Sequence, residues 1–265
     1  MIVSAELIQT LERVAHLAAD AANNVTLAHF RNADMATGNK DKSGFDPVTK
    51  ADQDAEAAIR QVLARHRPDD GILGEEHAAK PGTSSLTWVL DPIDGTRGFI
   101  SGTPTWGTLI SVGTPERPIL GLIEQPYIGE RFVGLPDGAR LVRSGTSRAI
   151  KTRTPRPLSQ ATIFTTFPEV GTAAQHRAFH RLAAQTRLTR YGMDCYAYAL
   201  LAAGQIDLVV EAGLQSYDIH APCAVVHAAG GVITTWDGKP AHNGGTALAA
   251  SCPELHRSAL AILNE

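Results

Sequence analysis

The stretch Trp88-Val89-Leu90-Asp91-Pro92-Ile93-Asp94-Gly95-Thr96-Arg97-Gly98-Phe99 constrains this chain more than any other. Trp88, Val89 and Leu90 form a short apolar run of strand-forming residues. Pro92 fixes its own φ and has no N–H to donate, so the strand is expected to end there. Asp94 is a favourable N-cap, with Gly95, Thr96 and Arg97 as the first helical residues after it. Asp91 and Asp94 then stand on either side of a strand-to-helix turn, and the N–H groups of Gly95 and Thr96 face the same space. A hard divalent cation takes oxygen ligands, and Mg²⁺ uses one or two carboxylates plus substrate phosphate. Phosphate is held by free backbone N–H groups at a helix start. An isolated D-P-x-D-G is equally well a plain turn with a cap, so the rest of the chain has to decide.

Ahead of this stretch, Leu7, Leu11, Val14, Ala18, Ala21 and Val25 recur at helical spacing, which predicts a helix from about Ser4 to Phe30. Asn32 to Gly44 is polar, with two glycines, and reads as a loop or hairpin whose Lys40-Asp41-Lys42 cluster is a solvated face. Thr49 can cap a second helix to about Arg65. Ile72-Leu73-Gly74 is a short strand delivering Glu75-Glu76. Neighbours on a strand point to opposite faces, so at most one of these acids faces a shared pocket. After the central stretch, strands are expected at Thr108–Val112, Ile119–Glu124, Arg131–Leu135 and Arg140–Val142, the last two joined by the turn Pro136-Asp137-Gly138.

The Arg-, Ser-, Thr- and Pro-rich segment Arg143 to Pro157 reads as the crossing between two lobes, residues 1–145 and 146–265, within one compact unit. Beyond it, strands and helices alternate: strands at Ala161–Thr166, Leu188–Tyr191, Asp207–Glu211, Val232–Thr235 and Thr246–Ser251, and helices at Ala173–Ala184, Asp194–Ala203, Tyr217–Ala229 and Pro253–Leu263. The first lobe is thus α+β with a largely antiparallel sheet, and the second is α/β.

Composition narrows the function. A net charge of −3 gives no support for nucleic-acid binding, and no apolar run reaches the roughly 18 residues of a membrane span. Met1-Ile2-Val3-Ser4-Ala5-Glu6 lacks the basic and apolar regions of a secretory signal. Cys195, Cys223 and Cys252 are far apart and form no C-x-x-C pair, so neither a disulfide framework nor a thiolate zinc site is indicated. A cytoplasmic protein with reduced thiols is the expectation.

Four elements in register carry a resemblance over essentially the whole chain: Asp46-Pro47-Val48-Thr49-Lys50-Ala51-Asp52, Gly74-Glu75-Glu76, Asp91-Pro92-Ile93-Asp94-Gly95-Thr96, and Tyr217-Asp218 followed by Ala228-Ala229-Gly230-Gly231. In that order they resemble the inositol monophosphatase superfamily of Mg²⁺-dependent, Li⁺-sensitive phosphatases. The resemblance implies a layered αβαβα sandwich of the sugar-phosphatase type, commonly a homodimer. It implies that Glu75, Asp91 and the Ile93 carbonyl hold a first metal, that Asp91, Asp94 and Asp218 hold a second, and that Glu75 also reaches a third. It implies that Asp46 hydrogen-bonds Thr96, that this pair with Glu75 positions and deprotonates the attacking water, and that the Gly95 and Thr96 N–H groups hold the phosphate. Two positions depart from the family pattern: Gly98 replaces a small polar residue, and His220-Ala221-Pro222-Cys223 replaces an apolar run.

Within the superfamily, Asp91 to Ile110 with Arg97, the segment Gly192 to Gly204, and Tyr217-Asp218-Ile219 are most similar to the histidinol-phosphatase branch. The expected reaction is hydrolysis of L-histidinol phosphate in histidine biosynthesis. Inositol-1-phosphate or another small polyol or sugar phosphate is the alternative. A metal-binding regulator without turnover fits less well, because the acid set is complete. Histidinol phosphate is cationic, so Asp194 and Glu211 are candidate partners for its ammonium or imidazole, with Gly192 allowing close approach and Arg97 beside the phosphate. Glu211 also occupies the position that family members use for an inositol hydroxyl. Cys195, Tyr196 and Tyr198 read as helix packing, and His220 has no strong claim to touch the metals.

Overall fold

The computed structural model describes residues 4–32, 37–39 and 47–265. Helix α1 (Ala5–His29) opens with the Ser4 hydroxyl accepting from the Leu7 N–H at 3.2 Å. The short strands β1 (Thr37–Asn39) and β2 (Pro47–Thr49) pair antiparallel. The Lys40-Asp41-Lys42 cluster and Asp46 lie outside the described residues. Helix α2 (Lys50–His66) begins at a capping box in which Thr49 and Asp52 cap each other.

A seven-stranded sheet follows in chain order: β3 (Gly71–Gly74), β4 (Thr87–Asp94), β5 (Gly107–Thr114), β6 (Arg117–Gln125), β7 (Glu130–Leu135), β8 (Gly138–Arg143) and β9 (Thr146–Ile150), with the short helix α3 (Thr96–Ile100) after β4. Only the β3–β4 pairing is parallel. The second half contains β10 (Thr162–Thr165), α4 (Ala173–Ala183), β11 (Leu188–Tyr191), α5 (Asp194–Ala202), β12 (Leu208–Leu214), α6 (Ser216–Ala228), β13 (Val232–Thr234), β14 (Gly245–Ala250) and α7 (Pro253–Leu263). Its strands form a five-stranded sheet in the order β11-β10-β12-β14-β13.

Alternate strand residues face opposite layers. On the first sheet Ile110, Leu122 and Trp88 pack under α1 and α2, whereas Leu109, Ile123 and Phe132 pack against α5 and α6. On the second sheet Val209, Ala247 and Ala249 face the same middle helices, while Leu208, Val210 and Leu248 pack against α4 and α7. The layers therefore run α-β-α-β-α. In the middle layer α6 lies backbone to backbone on the first sheet: a Cβ on Gly121 would stand 2.3 Å from the Ala221 carbonyl oxygen, and one on Gly134 would stand 2.5 Å from the Val225 Cα.

Two expectations are corrected. β4 does not stop at Pro92 but continues to Asp94 through a bulge: Asp91 pairs with Leu109 and Asp94 with Gly107, so Pro92 and Ile93 together face Thr108. A bulge is one of the few places in a sheet that tolerates a residue without an N–H, and the Thr108 hydroxyl donates to the Pro92 carbonyl at 2.8 Å. The segment after Arg143 is not simply a crossing, because Thr146–Ile150 adds β9 to the first sheet. All three cysteines are free and buried, and no helix among the described residues is long and apolar enough to cross a membrane.

Candidate active site

The bulge in β4 decides where the acids point. It lets Asp91 and Asp94 face one cleft of about 290 Å³, shared with Glu75, Ile93, Asp194 and Asp218. The Asp91 Oδ1 accepts from the Ile93 N–H at 3.1 Å. The Asp94 Oδ2 accepts from the Cys195 N–H at 2.6 Å, which ties the end of β4 to the start of α5. Asp218 reaches the cleft from the first turn of α6, where the Gln215 N–H donates to its Oδ2 at 2.7 Å. Asp91, Asp94 and Asp218 each present an oxygen, all within 4.8 Å of one another. Glu75, not Glu76, lines the cleft; both lie just past the end of β3, so the bend after the strand and not strand alternation separates them.

Such crowding opposes ionisation. Burial, then Glu75, Asp94 and Asp218, push the Asp91 carboxyl well above the usual carboxylate range. Burial, Asp194 and Asp218 do the same to Asp94. Asp194 is pushed up to about 6 by burial and Asp218, against the pull of Arg97. A divalent cation would remove this repulsion, and a donor set made wholly of hard oxygens suits Mg²⁺. The residues present therefore fit the metal that the sequence implies.

Asp94 is not a helix cap; Gly95 holds that position with φ of +82°. Left-handed backbone suits glycine, and a Cβ there would also meet the Asp194 Cγ at 2.9 Å. The Thr96 hydroxyl donates to the Ile93 carbonyl at 3.1 Å, with the Asp52 Oδ1 3.5 Å away. Asp46, expected as the Thr96 partner, lies outside the described residues; among the described residues Asp52 brings a carboxylate close to Thr96. This acid is 1% exposed and accepts from the Thr49 N–H and hydroxyl at 2.8 and 2.6 Å, so its position is set by the helix start. It was visible as the second acid of the Asp46–Asp52 element and as the N3 member of a capping box.

The far wall of the cleft comes from the second lobe. Glu211 on β12 accepts from the Thr166 N–H and hydroxyl at 2.7 and 2.9 Å, and burial outweighs these bonds to push its carboxyl up to about 8. Arg97 stacks over the Phe167 ring at 4.7 Å at the mouth. Thr166 and Phe167 carry no chemical signal in the sequence; the pairing of β10 with β12 brings them in. Gly192 does not line the cleft, and its N–H is turned to the Thr165 and Thr166 carbonyls. His220 is a core residue 2.7 Å from the Ser111 hydroxyl, its pKa pushed down to about 4 by burial and His242. Tyr198 is buried in α5 and also lines the cleft, its hydroxyl without a hydrogen-bond partner among the described residues.

Residues 7–265 match the model of the inositol monophosphatase family. The chain belongs to that family. It is 43% identical over 229 residues to the chloroplastic bifunctional phosphatase IMPL2 of Arabidopsis thaliana, covering 85% of this chain but only 64% of that one. It is 36% identical over 261 residues to histidinol-phosphatase of Streptomyces coelicolor, covering 96% of each. The solved structure of an inositol monophosphatase from Zymomonas mobilis superposes with a TM-score of 0.85 at 38% identity, covering 99% of this chain and all of that one. The layered sandwich is the inositol monophosphatase fold, and the acidic cleft is that of a metal-dependent phosphomonoesterase of this family.

Proposed function

We propose that the protein hydrolyses L-histidinol phosphate with Mg²⁺ in the cleft. The observation that carries the choice of ester is the pair Asp194 and Glu211, two carboxylates lining the same cleft as the Asp91, Asp94 and Asp218 cluster. Burial raises both carboxyls, to about 6 and about 8 respectively, and a cationic alcohol lying against them would draw them into the charged form and pair with them, where a neutral polyol would not. The full-length likeness to a histidinol-phosphatase points the same way.

In this reading Glu75, Asp91 and the Ile93 carbonyl hold one metal, and Asp91, Asp94 and Asp218 hold another. Bound Mg²⁺ supplies a water of lowered pKa and neutralises charge on the phosphate. Asp46, Thr96 and Glu75 place the attacking water and take its proton. The N–H groups of Gly95 and Thr96 receive phosphate oxygens, and Asp194 and Glu211 receive the ammonium or imidazole. Li⁺ inhibition, a homodimer and a role in histidine biosynthesis belong to the same reading.

The test is phosphate release from L-histidinol phosphate and from inositol-1-phosphate, side by side, with Mg²⁺ and with EDTA. The proposal expects a Mg²⁺-dependent kcat/KM at least about tenfold higher for histidinol phosphate, or about 1.4 kcal/mol of discrimination. A preference for the inositol ester overturns it and makes Glu211 a hydroxyl acceptor.

A further inference from the structure

Behind the cleft wall, the chain from Phe167 to α4 folds back on itself in an unusual way. Val170 is β-branched and buried, yet its φ is +34°. Left-handed backbone at such a residue is a genuine outlier, which persists only where the surroundings hold it and which points to a functional constraint. The turn directs two backbone carbonyls at the first turns of α4. His176 Nδ1 lies 3.2 Å from both the Pro168 and the Glu169 carbonyl oxygens, and His180 Nε2 lies 3.1 Å from the Pro168 oxygen. The two imidazoles are four residues apart on one helix face, with ring centroids 4.3 Å apart, and His180 also sits edge-on to the Phe179 ring.

We propose that His176 and His180, with the Pro168 carbonyl between them, form a binding site for a transition-metal ion of the Zn²⁺ or Ni²⁺ type, separate from the carboxylate cleft. A His pair at i and i+4 on a helix is an established way of presenting two imidazoles to one ion. Imidazole selects Zn²⁺, Ni²⁺ and Cu²⁺, whereas the oxygen-lined cleft selects Mg²⁺. The spacing is also right: ligands about 2.0–2.1 Å from a tetrahedral ion stand roughly 3.3 Å from one another, close to the nitrogen-to-carbonyl separations here. Neutral imidazoles need lose no net proton to bind. Each moves its hydrogen to the other ring nitrogen, so His176 binds through Nδ1 with Nε2 protonated, and His180 through Nε2 with Nδ1 protonated.

The site is coupled to the cleft by chain continuity. Pro168 follows Phe167, whose ring carries Arg97, and Thr166, whose N–H and hydroxyl hold Glu211. An ion on the His pair fastens this loop at its far end.

The experiment is calorimetric titration of Zn²⁺, repeated with Ni²⁺, into the whole protein in excess Mg²⁺, which keeps the carboxylate cleft filled. One ion should bind with micromolar affinity, and His176→Gln and His180→Gln should each weaken it at least about tenfold. Glutamine keeps a donor for the Pro168 carbonyl, so these variants keep the turn while removing an imidazole; unchanged circular dichroism and thermal midpoint without Zn²⁺ establish that. Co²⁺ absorbance gives a second readout, with tetrahedral d–d bands in the wild type that both variants lose. No Zn²⁺ or Ni²⁺ binding by the wild type under excess Mg²⁺, or equal binding by the variants, overturns the proposal and leaves the histidines as caps on the turn.

Discussion

Asp70 and Asp91 are buried aspartates flanking the same parallel pair of strands, one before β3 and one on β4, at 1% and 2% exposure. They are treated in opposite ways. Burial pushes the Asp70 carboxyl up, but the Arg67 guanidinium, the Ser84 hydroxyl and the Trp88 indole N–H, at 2.7, 2.7 and 2.9 Å, outweigh it and hold the group below the usual range. Asp91 has acids around it, and burial and charge push it the same way. Burial alone therefore does not decide what a carboxylate is for; the partners supplied by the fold do. Asp70 is complete without a ligand, and Asp91 becomes complete only when a cation arrives.

The largest test of this contrast is Asp94→Asn. It should lower kcat/KM by about a thousandfold while leaving the thermal midpoint in EDTA unchanged or higher, because one repelling charge is gone. Activity assays and thermal melts with and without Mg²⁺ measure both. Asp70→Ala should behave in the reverse way. Breaking a buried ion pair costs about 3 kcal/mol or more, read by urea denaturation, with kcat per folded molecule unchanged.

A pH series on the metal-free protein separates the two regions next. Glu211 and Asp194 have folded-state values of about 8 and about 6, above their ordinary 4.5 and 3.8. Between those limits the folded protein holds more protons than the unfolded chain, so stability should fall as pH rises from about 4 to about 8. A drop in melting temperature of at least about 3 °C is expected, reduced by Mg²⁺. Asp70 works in the other sense: its contribution is present at neutral pH and is lost below about 4, as pH falls through its lowered folded value. The smallest effect belongs to Tyr198→Phe. Removing a buried hydroxyl that lacks a partner should stabilise the protein by up to about 1 kcal/mol, whereas the same change at a bonded tyrosine would destabilise it.

Much of this was readable in the chain. Helices α1, α2, α4 and α7 announce themselves by capping residues and apolar spacing, and the acids of the cleft by their setting at strand and helix ends. What was not readable depended on pairing between distant segments. A proline looks like a strand stop until a partner strand accommodates it as a bulge, which only the Thr108 side of β5 can do. The Thr146–Ile150 strand is polar because it is a sheet edge, and so resembles a linker. The surroundings of Thr96 were legible only in part: the sequence marks Asp46, which lies outside the described residues, whereas Asp52 beside Thr96 is singled out by the capping geometry of α2.

The contact of α6 with Gly121 and Gly134 has a further consequence. Two of the three clustered aspartates ride on one strand of the first sheet and the third on this helix, so the size of the triangle is set by how far the helix axis stands off the sheet. With no side chain between the two backbones, that gap works like a bearing without a shim. A single methyl at Gly121 would wedge it open, carrying Asp218 away from Asp91 and Asp94 while every acid is still in place. Gly121→Ala should therefore weaken Mg²⁺ binding in a titration without altering any group that touches the ion. Some of the residues that define a metal site by distance need have no chemistry of their own.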